Sequence, residues 1–162
     1  MTVQQVRVLF VCMGNICRSP TAEGVFKHIV EQAGLAGRVL SDSAGTHDYH
    51  IGDPPDPRAQ VAAARRGYDL SSLRGRQVSP SDFSEFDYVL AMDETNRRLL
   101  ESLCPRQHAH KLKLFMEFAG DPVVREVPDP YYGGPQGFER VLDMVEQASH
   151  GLIAHLCDRI EP

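Results

Sequence analysis

The stretch Val6-Arg7-Val8-Leu9-Phe10-Val11, followed by Cys12-Met13-Gly14-Asn15-Ile16-Cys17-Arg18-Ser19-Pro20, decides the fold class of this chain. Its first six residues form a short apolar run rich in β-branched side chains, which is typical of a strand buried on both faces. The Gly14-Asn15 pair tolerates the positive φ that a tight loop requires. The Ser19-Pro20 pair is typical of a helix start, with the serine as N-cap and the proline at the first helical position. We therefore expect a strand, a tight loop and a helix in succession.

Strands and helices alternate along the rest of the chain. After the first helix, which ends before Gly34 and Gly37, the sequence predicts strands over 38–43 and 86–91 and a weaker strand over 111–115. Helices are predicted over 58–66 and from a capped start at 79–82. A further helix is predicted to open at Asp93 and to run to about Leu103, and the last helix begins near Gly137. Such alternation implies a parallel sheet with helices on both faces. Ligands of such sheets bind at the carboxyl ends of the strands, where residues 12–19 fall.

Length and composition predict a single domain over residues 1–162. The chain has 162 residues, of which 42% are hydrophobic and 24% charged, values typical of a soluble globular protein. The apolar start at 6–13 contains Arg7 and is far shorter than the ~20 residues that span a bilayer. It also lacks the features of a signal peptide. We therefore expect a cytoplasmic protein without a membrane partner.

Charge and cysteine content argue against a nucleic-acid partner and against a metal site. The formal net charge is −5 and the basic residues are scattered along the chain. The four cysteines are too few for a disulfide scaffold, and none has the Cys/His spacing of a zinc site. His50, like the other histidines, has no partner at a telling spacing and is expected either at the surface or in a position where its hydrogen bonds are satisfied. We expect no metal and no cofactor, and the sequence does not indicate an oligomeric state.

The loop after the first strand has the residues of an anion site. Backbone N–H groups that converge at a helix N-terminus bind anions, phosphate above all. Arg18 adds a planar fork that matches two phosphate oxygens, and the positive surroundings favour a thiolate on Cys12. The spacing of the cysteine and the arginine is weak evidence by itself. It leaves open a second interpretation, in which Cys12 is an inert buried thiol at the end of a strand.

Several motifs in register resemble those of the low-molecular-weight protein tyrosine phosphatases. The loop from Val11 to Pro20 resembles the signature loop of that family, and the similarity covers nearly the whole chain. The further motifs are Ser43-Ala44-Gly45-Thr46, Asp56-Pro57-Arg58-Ala59, Met92-Asp93-Glu94 with Asn96, and Asp129-Pro130-Tyr131-Tyr132. The resemblance implies a flavodoxin-like three-layer sandwich, an α/β fold in which helices flank a four-stranded parallel sheet.

The resemblance also implies a cysteine-dependent phosphatase mechanism. Cys12 would attack phosphorus and form a phosphocysteine intermediate. Asp129 matches the general acid of the family, although Asp129-Pro130 alone is typical of an ordinary turn. By the same resemblance, Arg18 would act both in catalysis and in phosphate binding. The phosphate-binding residues of the P-loop would be Met13, Gly14, Asn15, Ile16, Cys17 and Arg18.

Supporting roles follow from the same resemblance. Ser19 matches a hydroxyl that donates to the thiolate, and Asn15 and Ser43 match the polar pair that holds the loop. Many members place a histidine before an Arg-Gln pair to support the asparagine, whereas this chain has Leu73-Arg74-Gly75 before Arg76-Gln77. Cys17 matches a position that traps oxidised Cys12 as a disulfide. A buried Cys17 without a redox role remains the alternative.

The expected pocket walls favour an aromatic phosphoester in a tyrosine-phosphorylated protein. They are Met13, Ile16, Tyr49, Tyr131 and Tyr132. A protein-arginine phosphatase shares the loop but tends to carry threonine where Ile16 stands. A thiol-coupled arsenate reductase needs a second pair of nearby cysteines, whereas Cys104 and Cys157 are far apart in the sequence. A phosphate-binding protein without activity would lack the nucleophile or the acid, and both are present here.

Overall fold

A parallel β-sheet lies at the centre of the computed structural model, which describes residues 5–131 and 133–160. Within these residues the sheet has four strands in the order β2-β1-β3-β4. Every pair of neighbouring strands is parallel. The strands are β1 (Val6–Cys12), β2 (Val39–Gly45), β3 (Tyr88–Ala91) and β4 (Leu112–Leu114).

The helices alternate with the strands along the chain. In the described residues they are α1 (Arg18–Gln32), α2 (Pro57–Ala64), α3 (Asp82–Glu85), α4 (Glu94–Leu103) and α5 (Pro135–Cys157), with 3-10 turns at Arg106–Lys111 and Phe115–Ala119. None of the helices in the described part of the chain is both long and apolar enough to cross a membrane.

The two faces of β1 bury different sets of side chains, because successive residues of a strand point to opposite faces. On one face, the ring of Phe10 packs edge-on against Phe26 of α1 and against Phe115, with centroid distances of 5.4 and 5.0 Å. Leu142 of α5 belongs to the same buried cluster. The other face buries a second cluster that includes Leu9, Phe83 of α3 and Leu100 of α4. Helices therefore cover both faces, which confirms the predicted α/β sandwich.

The predicted elements are confirmed in order and type, with shifted ends. One local expectation is wrong: Ser19 does not cap α1, because the helix already begins at Arg18 and Cys17 occupies the N-cap position. The Ser19 hydroxyl instead lies 3.0 Å from the sulfur of Cys12, inside the loop. The start predicted at 79–82 produces only the short helix α3, whose Asp82 carboxylate accepts a hydrogen bond from the Ser79 N–H.

The last residues of β1, β2 and β3 are in register, so the loops that follow these three strands lie at the same edge of the sheet. Cys12, the last residue of β1, pairs with Gly45, the last residue of β2. Val11 pairs with Ala91 at the end of β3. In parallel sheets this carboxyl edge is where ligands bind. The fold thus places the loop of residues 13–17 at the edge where chemistry is expected.

Gly151 allows α5 to lie directly on the 3-10 turn at Phe115–Ala119. A Cβ atom at this position would lie 1.6 Å from the carbonyl oxygen of Phe118, which is backbone and cannot rotate away. We expect Gly151→Ala to lower the free energy of unfolding by about 1–3 kcal/mol, although alanine is the better helix former. Urea denaturation followed by circular dichroism measures the change.

Gly137→Ala is the matched control in the same helix. A Cβ there meets its nearest atom at 3.4 Å, an ordinary contact, so stability should be unchanged or rise by up to about 1 kcal/mol. A Gly151→Ala protein as stable as Gly137→Ala would contradict the close approach of α5 to Phe118.

Candidate active site

The loop between β1 and α1 closes around the sulfur of Cys12. The side chain is buried, with the residue 3% exposed, and its Sγ lies 3.0 Å from the hydroxyl oxygen of Ser19. The N–H groups of Asn15 and Ser19 also donate to this sulfur, at 3.3 and 3.5 Å. Donors that converge on one atom stabilise negative charge there. The loop therefore directs these donors at a single sulfur atom.

Asn15 fixes the shape of the loop. Its φ of +57° lies in the left-handed region, and its side chain is buried. The amide nitrogen Nδ2 donates to the hydroxyl oxygens of Ser19 and Ser43, at 2.8 and 3.0 Å. The amide oxygen Oδ1 accepts a hydrogen bond of 3.0 Å from the backbone N–H of Arg76. The N–H of Arg76 thus supports Asn15 in a chain that has Leu73-Arg74-Gly75 where many relatives are expected to carry a histidine.

Glu23 continues this network, and the sequence analysis missed it. The Ser43 hydroxyl donates to Oε1 of Glu23 at 2.7 Å, and Lys27 approaches the other oxygen at 3.5 Å. Burial raises the pKa of Glu23 above its ordinary value, although the bond from Ser43 and the charge of Lys27 act in the opposite direction. The available signal is its spacing, because Glu23 lies four residues after Ser19 on the same face of the predicted helix.

Arg18 is a buried cation with a carboxylate partner. The residue is 3% exposed, and its Nη1 donates to Oδ2 of Asp93 at 2.6 Å and to the carbonyl of Val127 at 3.0 Å. Burial by itself lowers the pKa of Arg18, but the charges of Cys12 and Asp93 outweigh it and raise the pKa overall. Asp93 is also the N-cap of α4, the helix that the sequence predicts to open at this residue. Its contact with Arg18 was missed, because the two residues lie 75 positions apart.

Asp129 faces Arg18 from a surface loop. Its Oδ2 lies 3.9 Å from Nη2 of Arg18, while its Oδ1 accepts a hydrogen bond of 3.0 Å from the N–H of Tyr131. The Asp129 side chain is 34% exposed, so this carboxylate can exchange protons with water. The structure therefore places a solvent-accessible carboxylate beside a buried cation.

A cleft of about 210 Å³ brings most of the predicted site residues together. Asn15, Ser19 and Ser43 are bonded to one another and do not line the cleft, and Tyr132 lies outside the described residues. The sequence assigns His50 no role in the site, but this residue lines the cleft, with its Nδ1 3.1 Å from Oδ2 of Asp53. The cleft is lined by Cys12, Met13, Gly14, Ile16, Cys17, Arg18, Tyr49, His50, Asp129 and Tyr131.

Apolar and aromatic groups form the lip of the cleft. Met13, Tyr49 and Tyr131 are exposed, and Tyr49 stacks on the ring of His47 at 5.0 Å. Ile16 is half-buried and packs against the core. An aromatic ring entering the cleft would meet these side chains before its polar end reaches the loop.

Cys17 is a buried, neutral thiol that lines the same cleft. Burial raises the pKa of the Cys17 thiol far above its ordinary value, and the negative charges of Asp56 and Cys12 raise it further. Elsewhere among residues 5–131 and 133–160, no three His, Cys, Asp or Glu side chains are grouped as a metal site requires.

Comparison with known proteins supplies the family. A protein-tyrosine-phosphatase of Streptomyces coelicolor is 48% identical over 160 residues, covering 96% of each chain. The crystal structure of a protein tyrosine phosphatase from Entamoeba histolytica superposes with a TM-score of 0.92 at 44% identity, over 95% of this chain and 98% of that one. An arginine phosphatase from Drosophila superposes with a TM-score of 0.86 at 31% identity, over 96% and 98% of the two chains. The family model for low molecular weight phosphotyrosine protein phosphatases matches residues 7–160, and the chain therefore belongs to this family.

Proposed function

We propose that this protein hydrolyses phosphotyrosine in proteins, and small aryl phosphates, through a phosphocysteine intermediate on Cys12. The observation that carries the proposal is one cleft in which a buried thiol, a buried arginine and an accessible carboxylate face each other. These groups are Cys12, Arg18 and Asp129. Membership in the phosphotyrosine phosphatase family supports it.

The first step transfers the phosphoryl group to sulfur. The Cys12 thiolate attacks phosphorus in line with the ester oxygen, so that a P–S bond forms as the P–O bond breaks. Arg18 and the N–H groups of residues 13–18 hold the three equatorial oxygens and stabilise their charge in the transition state. Asp129 gives its proton to the departing phenolate oxygen. A phenol has a pKa of about 10, so protonation favours its departure at neutral pH.

The second step returns the enzyme to its starting state. Asp129, now a carboxylate, takes a proton from a water molecule, and the resulting hydroxide attacks phosphorus. The P–S bond breaks and sulfur leaves as the thiolate. The hydroxyl of Ser19 lies 3.0 Å from this sulfur and stabilises the charge that returns to it. The side chains of Asn15 and Ser43 act differently, by holding the loop in shape.

The lip of the cleft favours tyrosine over arginine. A phosphorylated guanidinium carries N–H groups that lose hydrogen bonds when they enter an apolar passage. Ile16 presents hydrocarbon there, and Tyr49 and Tyr131 offer rings to an aromatic leaving group. The likeness to an arginine phosphatase makes that activity the second candidate. Arsenate reduction is not favoured, because Cys104 and Cys157 are free and lie outside the cleft lining.

We also propose a protective role for Cys17. A peroxide would oxidise the Cys12 thiolate to a sulfenic acid, and attack by the Cys17 thiol would then release water and leave a disulfide. Both sulfur atoms belong to residues that line the same cleft, which supports the pairing. The cytoplasmic location, the absence of a cofactor and the absence of a nucleic-acid partner stay predictions.

Replacement of the nucleophile tests the proposed reaction directly. We expect Cys12→Ser to lower turnover of a phosphotyrosine peptide by several orders of magnitude, because a serine hydroxyl is not ionised in this loop. Released phosphate is measured for this peptide and for a phosphoarginine peptide. Cys157→Ser, which changes an exposed thiol, is the control and should retain full activity. Wild-type turnover of phosphoarginine alone would replace the proposed substrate class by the second candidate.

Asp129→Asn tests the proton donor. We expect kcat/KM for phenyl phosphate to fall about 10²–10⁴-fold, because the phenolate must then leave unprotonated. The loss should be clearly smaller for 4-nitrophenyl phosphate, whose leaving group is more acidic. Asp121→Asn is the matched control, since Asp121 is exposed and accepts the same type of hydrogen bond, from the N–H of Val123 at 2.9 Å. Equal losses for both esters would show that Asp129 does not donate the proton.

Glu23 makes the stability of the loop network depend on pH. A carboxyl whose pKa is raised on folding binds its proton more tightly in the folded state, so its contribution to stability falls as pH rises above its ordinary value of 4.5. We expect Glu23→Gln to gain stability relative to wild type as pH increases from 4.5 to 7.5. Urea unfolding across this range measures the difference. Glu31→Gln, an exposed change on the same helix, should show no such trend, and a pH-independent difference for Glu23→Gln would contradict the effect.

A further inference from the structure

Arg58 lies just outside the cleft, with its guanidinium between two aromatic rings. The central carbon of the guanidinium is 5.2 Å from the ring centre of Tyr131 and 4.9 Å from that of Phe138. Tyr131 lines the cleft, whereas Phe138 lies in the first turns of α5. A planar guanidinium is suited to this position because it attracts aromatic faces while its edge stays free for hydrogen bonds.

The edge of the guanidinium is anchored to Asp56. Nε of Arg58 donates to Oδ1 of Asp56 at 3.1 Å, and Nη2 donates to Oδ2 at 2.8 Å. These hydrogen bonds are the main reason why the pKa of Asp56 is lowered, and the positive charge of Arg58 lowers it further. Asp56 is in turn tied to the loop around Cys12, because its N–H donates to the carbonyl of Ile16 at 2.8 Å. Arg58 is therefore held in a fixed relation to the loop that carries the nucleophile.

The ring of Tyr131 connects Arg58 to the proposed acid. The N–H of Tyr131 donates to Oδ1 of Asp129, which leaves Oδ2 directed toward Arg18. Pro130, between these two residues, is buried close to Gly137 of α5. A shift of the Tyr131 ring would move its backbone and with it the carboxylate that the N–H orients. The contacts thus run from Ile16 through Asp56, Arg58 and Tyr131 to Asp129.

We infer that Arg58 is a positioning residue that sets the Asp129 carboxylate over the ester oxygen of the bound substrate. It does not touch the reacting atoms, and it acts through the ring of Tyr131. The inference rests on the proposed function, in which Asp129 protonates the leaving group. Lysine cannot replace arginine here, since a single ammonium group cannot bind both oxygens of Asp56 and lie between two rings.

The test compares two esters in variants of Arg58. In Arg58→Ala and Arg58→Lys, we expect kcat/KM for phenyl phosphate to fall about 10- to 100-fold, the scale of a small misplacement of a catalytic group. For 4-nitrophenyl phosphate the fall should be less than about threefold, because that leaving group needs less protonation. Arg65→Ala, at the other end of α2, is the matched control and should leave both values unchanged.

The same variants must separate positioning from a general structural role. Asp56 still accepts the N–H of residue 58 in Arg58→Ala, so the N-cap of α2 is kept and the thermal unfolding midpoint should change little. Inhibition by inorganic phosphate should also be retained, because Arg18 and the loop are untouched. Equal losses for both esters, or a parallel loss of phosphate binding, would overturn the inference in favour of a structural role.

A double variant separates this inference from the proposed function. The quantity compared is the ratio of the losses in kcat/KM for phenyl phosphate and 4-nitrophenyl phosphate. If Arg58 acts through Asp129, adding Arg58→Ala to an Asp129→Asn protein should leave this ratio unchanged. Equal losses for both esters in Asp129→Asn would refute the proposed acid itself. A larger loss for phenyl phosphate in Asp129→Asn, together with equal losses in Arg58→Ala, would refute the role of Arg58 alone.

Discussion

The left-handed backbone of Asn15 is the constraint on which the rest of the site depends. At φ +57° this residue turns the chain so that the N–H groups of Asn15 and Ser19 point to one sulfur atom. For a residue other than glycine, this conformation is unfavourable by about 1–2 kcal/mol. Buried hydrogen bonds of the side chain to Ser19, Ser43 and the N–H of Arg76 offset that, at about 1 kcal/mol each. The strain is therefore supported by segments from three parts of the chain.

The charges follow from the same geometry. The loop gathers N–H groups around the buried sulfur of Cys12, and the Arg18 cation beside it is buried as well. Removal of a charge from water is unfavourable unless that charge has a partner. Asp93 supplies that partner at 2.6 Å and occupies Nη1 of Arg18, so that Nη2 is turned toward Asp129. The cation is thus fixed in direction before a phosphate arrives, which lowers the reorganisation required in the transition state.

The sequence predicts the fold and the members of the cleft better than it predicts what holds them. Hydrophobic runs and loop residues mark β1, the loop and the alternation of elements, because these depend on local pattern. Ser19 shows the limit of local rules: a serine before proline favours an N-cap, but a tertiary contact with Cys12 takes its hydroxyl. The support from Arg76 comes from a backbone N–H, which no side-chain motif records. Asp93 and Glu23 reach their partners only through the fold, across 75 and 20 positions.

The two halves of the site differ in exposure for a chemical reason. Cys12 is 3% exposed, and its buried surroundings keep water from competing with the N–H groups that donate to its sulfur. The Asp129 side chain is 34% exposed, as the proposed reaction requires of a group that would exchange protons with water between the two steps and admit the attacking water. An exposed loop is less constrained than a buried one, so the acid needs a fixed reference that does not close off solvent. A half-exposed guanidinium between two rings, tied by Asp56 to the loop of the nucleophile, meets both requirements.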